Sequence, residues 1–233
     1  MSLKRKFVLA GFVALMASWP AAAAFTADSL SATLEKLNQA AAQFHSTSAD
    51  FKFVTEQTEP VPDTDTLEGV AYYQRVGKDF EMSAHIAKDN GQPAPKVYMF
   101  VKGQFKLYEP GLHQLTILKR GSEFQDYIML GFGASGNQLK EKWEITDLGP
   151  ETIGGVRTEK LDLIAKDPKV KQTLPKVTVW MDLDRAVSLR QVFDMGHGQT
   201  RTCTYTNIKT NQSLPGGVFA IDDSKALANP KYQ

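Results

Sequence analysis

Val97-Tyr98-Met99-Phe100-Val101-Lys102-Gly103-Gln104-Phe105-Lys106-Leu107-Tyr108-Glu109 is the stretch that decides the fold. Two runs of β-branched and aromatic residues, 97–101 and 105–108, flank a Lys102-Gly103 pair that is short enough to fold one run back antiparallel on the other. A third run, 115–118, follows beyond Pro110 and Gly111. The same pattern recurs outward from here, at residues 51–56, 67–74, 80–86, 153–163, 177–181, 189–193 and 200–208, each run ended by glycine, proline, asparagine or aspartate. Met195-Gly196-His197-Gly198 supplies another hairpin-sized connection. Such a sheet, of about 10–11 strands, twists and curls instead of staying flat. The expected fold is mainly β with α: a single strongly curved antiparallel sheet that forms an incomplete, half-open β-barrel, covered by short helices.

Two segments supply the cover. Residues 29–44 place Leu30, Leu34, Leu37, Ala41 and Phe44 at helical spacing, with Thr33, Lys36 and Gln39 on the other side. Ser122-Glu123-Phe124-Gln125 has capping-box spacing and opens a short helix with Phe124, Tyr127, Ile128 and Leu130, ended by the glycines of Leu130-Gly131-Phe132-Gly133. Ser135-Gly136-Asn137-Gln138 repeats the capping pattern ahead of Leu139. No internal repeat, low-complexity tract or linker divides the chain, so one domain is the economical reading.

At the N-terminus, Lys4, Arg5 and Lys6 precede an apolar run from Phe7 to Trp19, then Pro20 and the alanines 21–24. This is the pattern of a secretory signal peptide. The run is shorter than the roughly 20 apolar residues that span a bilayer. Residues 1–24 are therefore expected to be a cleaved leader and 25–233 the mature domain. No cysteine follows the leader that could be lipidated. With the three leader cations set aside, Lys plus Arg number 24 against 26 Asp plus Glu, both signs interspersed. That balance gives no footprint for nucleic acid. The one cysteine, Cys203, excludes an internal disulfide and reads as a buried strand residue.

Catalytic signatures are missing. His45, His85, His113 and His197 stand at no spacing that would join two as metal ligands. There is no G-x-S-x-G elbow, and the glycine cluster 131–136 lacks the lysine of a phosphate loop. The pairs Asp182/Asp184 and Asp222/Asp223 read as turn residues. The expectation is a binding protein with no cofactor and no metal, not an enzyme.

Taken in order, these elements resemble the LolA family of periplasmic outer-membrane lipoprotein carriers. The resemblance runs through the N-terminal helix, Phe51-x-Phe53, Gly69-Val70-Ala71-Tyr72-Tyr73-Gln74-Arg75 followed by Phe80, the 102–110 hairpin ending in Tyr108-Glu109-Pro110, Leu130-Gly131-Phe132-Gly133, Ile153-Gly154-Gly155, Val179-Trp180-Met181-Asp182 and the closing Phe219. It implies a monomeric carrier in the periplasm. Such a carrier takes acylated lipoproteins from an inner-membrane ATP-driven releasing complex and hands them to an outer-membrane acceptor. It also implies that Arg75, with Phe80 downstream, hydrogen-bonds the lid backbone. Here the chain departs from the family pattern, since Val76 replaces the usual proline and one extra residue separates Arg75 from Phe80. The expected cavity wall comprises Leu34, Phe51, Phe53, Tyr73, Met82, Met99, Leu107, Phe124, Ile128 and Trp180. A lipoprotein-sensing module of the same fold is the alternative; such regulators carry a second C-terminal domain, and this chain ends soon after Phe219. A lipid-modifying enzyme is the third reading.

Overall fold

The computed structural model describes residues 27–77, 79–118 and 130–232. The leader and the helix expected at Ser122, with Phe124 and Ile128, lie outside the described residues. Among the described residues no helix is long and apolar enough to cross a membrane.

Helix α1 (Ala27–Ala42) contains no glycine or proline and turns Leu34, Leu37 and Ala41 inward, with Leu37 fully buried. Its last turn tightens into i→i+3 bonds, the Gln43 and Phe44 amides donating to the Ala40 and Ala41 carbonyls. Asn211 clamps the exit by donating to the Gln43 carbonyl and accepting from the His45 amide. Further helices are α2 (Gly136–Lys142), α3 (Pro168–Thr173) and α4 (Ser224–Ala228). The capping box expected at Ser135 opens α2, with Ser135 and Gln138 bonding each other's amides. A Cβ on Gly136 would stand 2.2 Å from the Leu34 carbonyl oxygen, so only glycine lets α2 approach α1 this closely.

Among the described residues twelve strands form one sheet: β1 (Ser46–Gln57), β2 (Asp63–Val76), β3 (Asp79–Asp89), β4 (Gln92–Val101), β5 (Gln104–Glu109), β6 (Gln114–Leu118), β7 (Trp143–Ile153), β8 (Val156–Ala165), β9 (Lys176–Asp182), β10 (Val187–Gly196), β11 (Gln199–Thr210) and β12 (Lys231–Tyr232). Their order is β12-β6-β5-β4-β3-β2-β1-β11-β10-β9-β8-β7. Two antiparallel meanders, β1–β6 and β7–β11, thus join where β1 pairs with β11, with Phe51 opposite Tyr205 and Phe53 opposite Cys203. The outer strands β7 and β12 do not pair with each other, so the barrel stays open.

The strand expected at 153–163 is two strands. Ile153 ends β7 and Val156 begins β8, with Gly154 and Gly155 at φ +57° and +82° making the turn. β7, at the sheet edge, lacks the apolar alternation that marks the other strands in the sequence. It carries Pro150 and the acids Glu144, Asp147 and Glu151, which a central strand does not accommodate but an edge does. β12 is only two residues long and pairs parallel with β6.

The concave face holds two apolar cores. One packs Leu34, Leu37 and Ala41 of α1 and Leu139 of α2 against Trp143, Leu161, Leu163, Val177, Val179 and Met181 of β7–β9. The other gathers Phe44, Phe51, Tyr73, Phe80, Met82, Phe100, Phe132, Cys203 and Tyr205 over β1–β4 and β10–β11. On the convex face the C-terminal segment is tied down. The Val218 carbonyl lies 3.0 Å from His85 Nε2, and Asp223 caps α4 while accepting from the Tyr108 hydroxyl at 2.8 Å.

Candidate functional site

Side chains alternate faces along a strand, so pairing register decides which residues share the concave surface. On β1 these are Phe51 and Phe53, on β2 Leu67, Ala71 and Tyr73, on β3 Met82, Ala84 and Ile86. Tyr98 of β4, Phe105 of β5, Gln191 and Phe193 of β10, and Arg201, Cys203 and Tyr205 of β11 complete the ring. Between them lies a cavity of about 420 Å³. Phe51, Tyr73, Met82, Cys203 and Tyr205 are buried at its inner end, whereas Ala84, Tyr98 and Phe105 on one side and Phe53, Leu67, Phe193 and Arg201 on the other are half-buried, and we take the latter four as its mouth.

Phe132 packs behind the inner end. It stacks on Tyr73 with ring centroids 4.1 Å apart and meets Tyr205 edge-on at 4.8 Å. The segment bearing it is pinned to β10: the Gly133 amide donates to the Ala186 carbonyl at 2.8 Å and the Ser188 amide to the Gly131 carbonyl at 2.6 Å. Gln191 Nε2 donates to the Leu130 carbonyl, and Gln191 Oε1 accepts from the Tyr205 hydroxyl at 3.4 Å. Burial pushes the Cys203 thiol up to about 12 and raises the Tyr73 and Tyr205 hydroxyls above their ordinary range. The inner end is therefore uncharged at neutral pH.

Arg75, on the same side of β2 as Tyr73, reaches the cover. Its Nε donates to the Phe44 carbonyl and its Nη2 to the Ala41 carbonyl, both at 3.1 Å, with Gly133 O at 3.4 Å from Nη2. Its guanidinium also lies over the Phe80 ring, Arg75 and Phe80 being register partners.

Of the expected wall residues, Phe51, Phe53, Tyr73 and Met82 line the cavity. Leu34 belongs to the other core, under α1. Met99 and Trp180 require correction, because their strands give the concave face to Tyr98 and Phe100, and to Val177, Val179 and Met181. Trp180 lies on the convex side between Lys160 and Arg190, at 4.9 and 5.4 Å from its ring centroid. Leu107 is on the concave face opposite Tyr98 but outside the lining residues. The turn reading of Asp182 fits the geometry, since its carboxylate accepts from the Asp184 amide and from Arg185. The expected wall lacks the other lining residues, Leu67, Ala71, Ala84, Ile86, Tyr98, Phe105, Gln191, Phe193, Arg201, Cys203 and Tyr205, as well as Phe132 behind the inner end. Among the described residues no three His, Cys, Asp or Glu side chains gather in a metal-binding group.

No protein-family model matches the chain, and no curated protein matches it significantly. Solved structures do. A conserved uncharacterised protein of Thermus thermophilus superposes with a TM-score of 0.54 at 10% identity, covering 88% of this chain and 99% of that one. MucB superposes at 0.51 and 15% identity, covering 85% of this chain but 65% of MucB. A lipoprotein-sorting protein domain from Vibrio parahaemolyticus gives 0.47 at 13% identity, with 82% and 97% covered. At these identities the likeness is one of fold, and the fold is the one the sequence predicts: a single curved antiparallel sheet, left half-open and covered by short helices.

Proposed function

We propose that the chain is a carrier of acyl chains. After export and loss of residues 1–24 it works as a periplasmic monomer. It takes acylated lipoproteins from an inner-membrane ATP-driven releasing complex and delivers them to an outer-membrane acceptor. The observation that carries this reading is the apolar cavity on the concave face, uncharged at its inner end and half-open at the Phe53–Phe193 end.

Size and energy both favour it. A cavity of about 150 Å³ takes a six-carbon aromatic ring, so 420 Å³ takes on the order of 17 carbons. Hydrating a chain of about 16 carbons costs on the order of 12 kcal/mol at roughly 0.8 kcal/mol per methylene. A vessel of this volume offsets that cost during transit. Release needs a cover that moves, and the cover here is held by hydrogen bonds from Arg75 and Gln191, with no disulfide. The one thiol in the cavity is held protonated by burial and is a poor nucleophile, which favours binding over chemistry.

Native mass spectrometry of the protein purified from the periplasm tests the proposal. Acylated peptides or lipoproteins should accompany it. A protein that emerges bare and takes up no long-chain acyl probe in solution would sink the carrier reading.

A further inference from the structure

Among the described residues that line the cavity Arg201 is the one charged side chain, and it stands at the mouth. Its Nη2 donates to the Gln199 side chain at 3.2 Å, while its Nε is buried without a hydrogen-bond partner. No ion pair involves Arg201 among the described residues. On the same face, across β1, Thr55 is the register partner of both Arg201 and Asp65, but the Asp65 carboxylate accepts from Asn90 at 2.9 Å. An unpartnered buried donor in a native fold calls for a missing partner. Arg190 also has an unpartnered Nε, but it faces the convex side and stacks on Trp180.

We infer that the cavity binds a single-chain amphiphile whose anionic head group, a carboxylate or a phosphate monoester, is held at the mouth by the Arg201 guanidinium. The inference rests on the acyl-cavity reading but names a different cargo, since the acyl chains of a lipoprotein end in neutral ester or amide links and not in a free anionic head group. One chain of about 17 carbons fills the apolar volume, and a head group that leaves the mouth meets the planar fork suited to carboxylate and phosphate oxygens. Phe53, Leu67 and Phe193 around the mouth exclude water from that contact and strengthen it.

Equilibrium dialysis of labelled hexadecanoate, hexadecyl phosphate and methyl hexadecanoate, each below its aggregation concentration, tests the inference. Either anion should bind the wild-type protein and lose about tenfold in affinity in Arg201→Gln, the scale of one charge-assisted bond. The ester should bind both proteins alike. Arg201→Lys should recover part of the loss, because it keeps the charge without the fork. The anion that is held more tightly identifies the head-group source. If Arg201→Gln, with an unchanged urea midpoint, binds the anions as the wild type does, the head-group assignment is overturned and the acyl cavity stands. If none of the three probes binds the wild type, the cavity reading itself fails.

Discussion

The Arg75 guanidinium lies 4.5 Å from the centroid of the Phe80 ring, and that contact aims its N–H groups at the end of α1. The Ala41 carbonyl, which also accepts from the Phe44 amide, and the Phe44 carbonyl lie where the helix ends, and Gly133 brings in the segment that carries Phe132. One side chain therefore ties two parts of the cover to β2. Arg75→Leu keeps the apolar stem over Phe80 but removes the guanidinium's bonds to these carbonyls, at a cost of about 1.5–3 kcal/mol for bonds from a charged donor. Amide-exchange protection at residues 41–44 should fall, and a bound acyl probe should dissociate roughly tenfold faster. Unchanged dissociation would remove Arg75 from the cover's mechanism.

Phe132 fills the inner end of the concave face against Tyr73 and Tyr205. Phe132→Ala should cost about 3–5 kcal/mol, as for other buried rings truncated to alanine. The void adjoins the cavity, so the variant should accept longer chains than the wild type does. Calorimetry across a series of chain lengths reads this directly. An unshifted length optimum would show that the space behind Tyr73 stays separate.

Glu159 makes the fold pH-sensitive where α1 meets the sheet edge. Burial, then its hydrogen bond with Asp147, raises its pKa from 4.5 to about 7. Asp147 in turn accepts from Thr33 of α1 at 3.1 Å. The native state thus holds this proton more tightly than the unfolded chain does. The resulting stability is complete below about pH 4.5 and is lost as pH rises through 7. Between about pH 5 and about pH 8 the urea midpoint of the wild type should fall more than that of Glu159→Gln, which stays neutral throughout. Equal falls in the two proteins would refute the assignment.

Much of the fold is legible in the sequence because hairpin partners are neighbours along the chain. The Lys102-Gly103 turn alone fixes β4 against β5. Pairing of β1 with β11 has no such local signal, and it is this pairing that brings Cys203, Tyr205 and Arg201 to face Phe51, Phe53 and Thr55. Facing direction was readable only where polar and apolar residues alternate. β9 reads Val177-Thr178-Val179-Trp180-Met181 and is buried on both faces, so nothing in its pattern sends Trp180 outward. β4 misleads about Met99 in the same way. Phe132 sat inside a glycine cluster that reads as loop, and Arg201, in an otherwise polar strand end, reads as solvated. The cavity's apolar character was thus visible, while the Arg201 charge was not.

Ala84 offers a way to fill the cavity without touching its cover or its mouth charge. It lies midway along β3, paired with Ala71 on one side and Tyr98 on the other, and all three side chains face the cavity. Ala84→Phe adds a ring of about 150 Å³ on the benzene-cavity scale, roughly a third of the 420 Å³ available. Because the ring enters empty space, the usual overpacking cost of about 1–3 kcal/mol does not apply, and the melting temperature should hold or rise. Affinity for a probe of about 16 carbons should fall at least tenfold, since the lost methylenes each carry roughly 0.8 kcal/mol. A probe of about eight carbons should bind as before. Loss of both probes with a lowered melting temperature would mean that the ring has disrupted the sheet. Retention of the long probe would place the acyl chain somewhere other than the concave face.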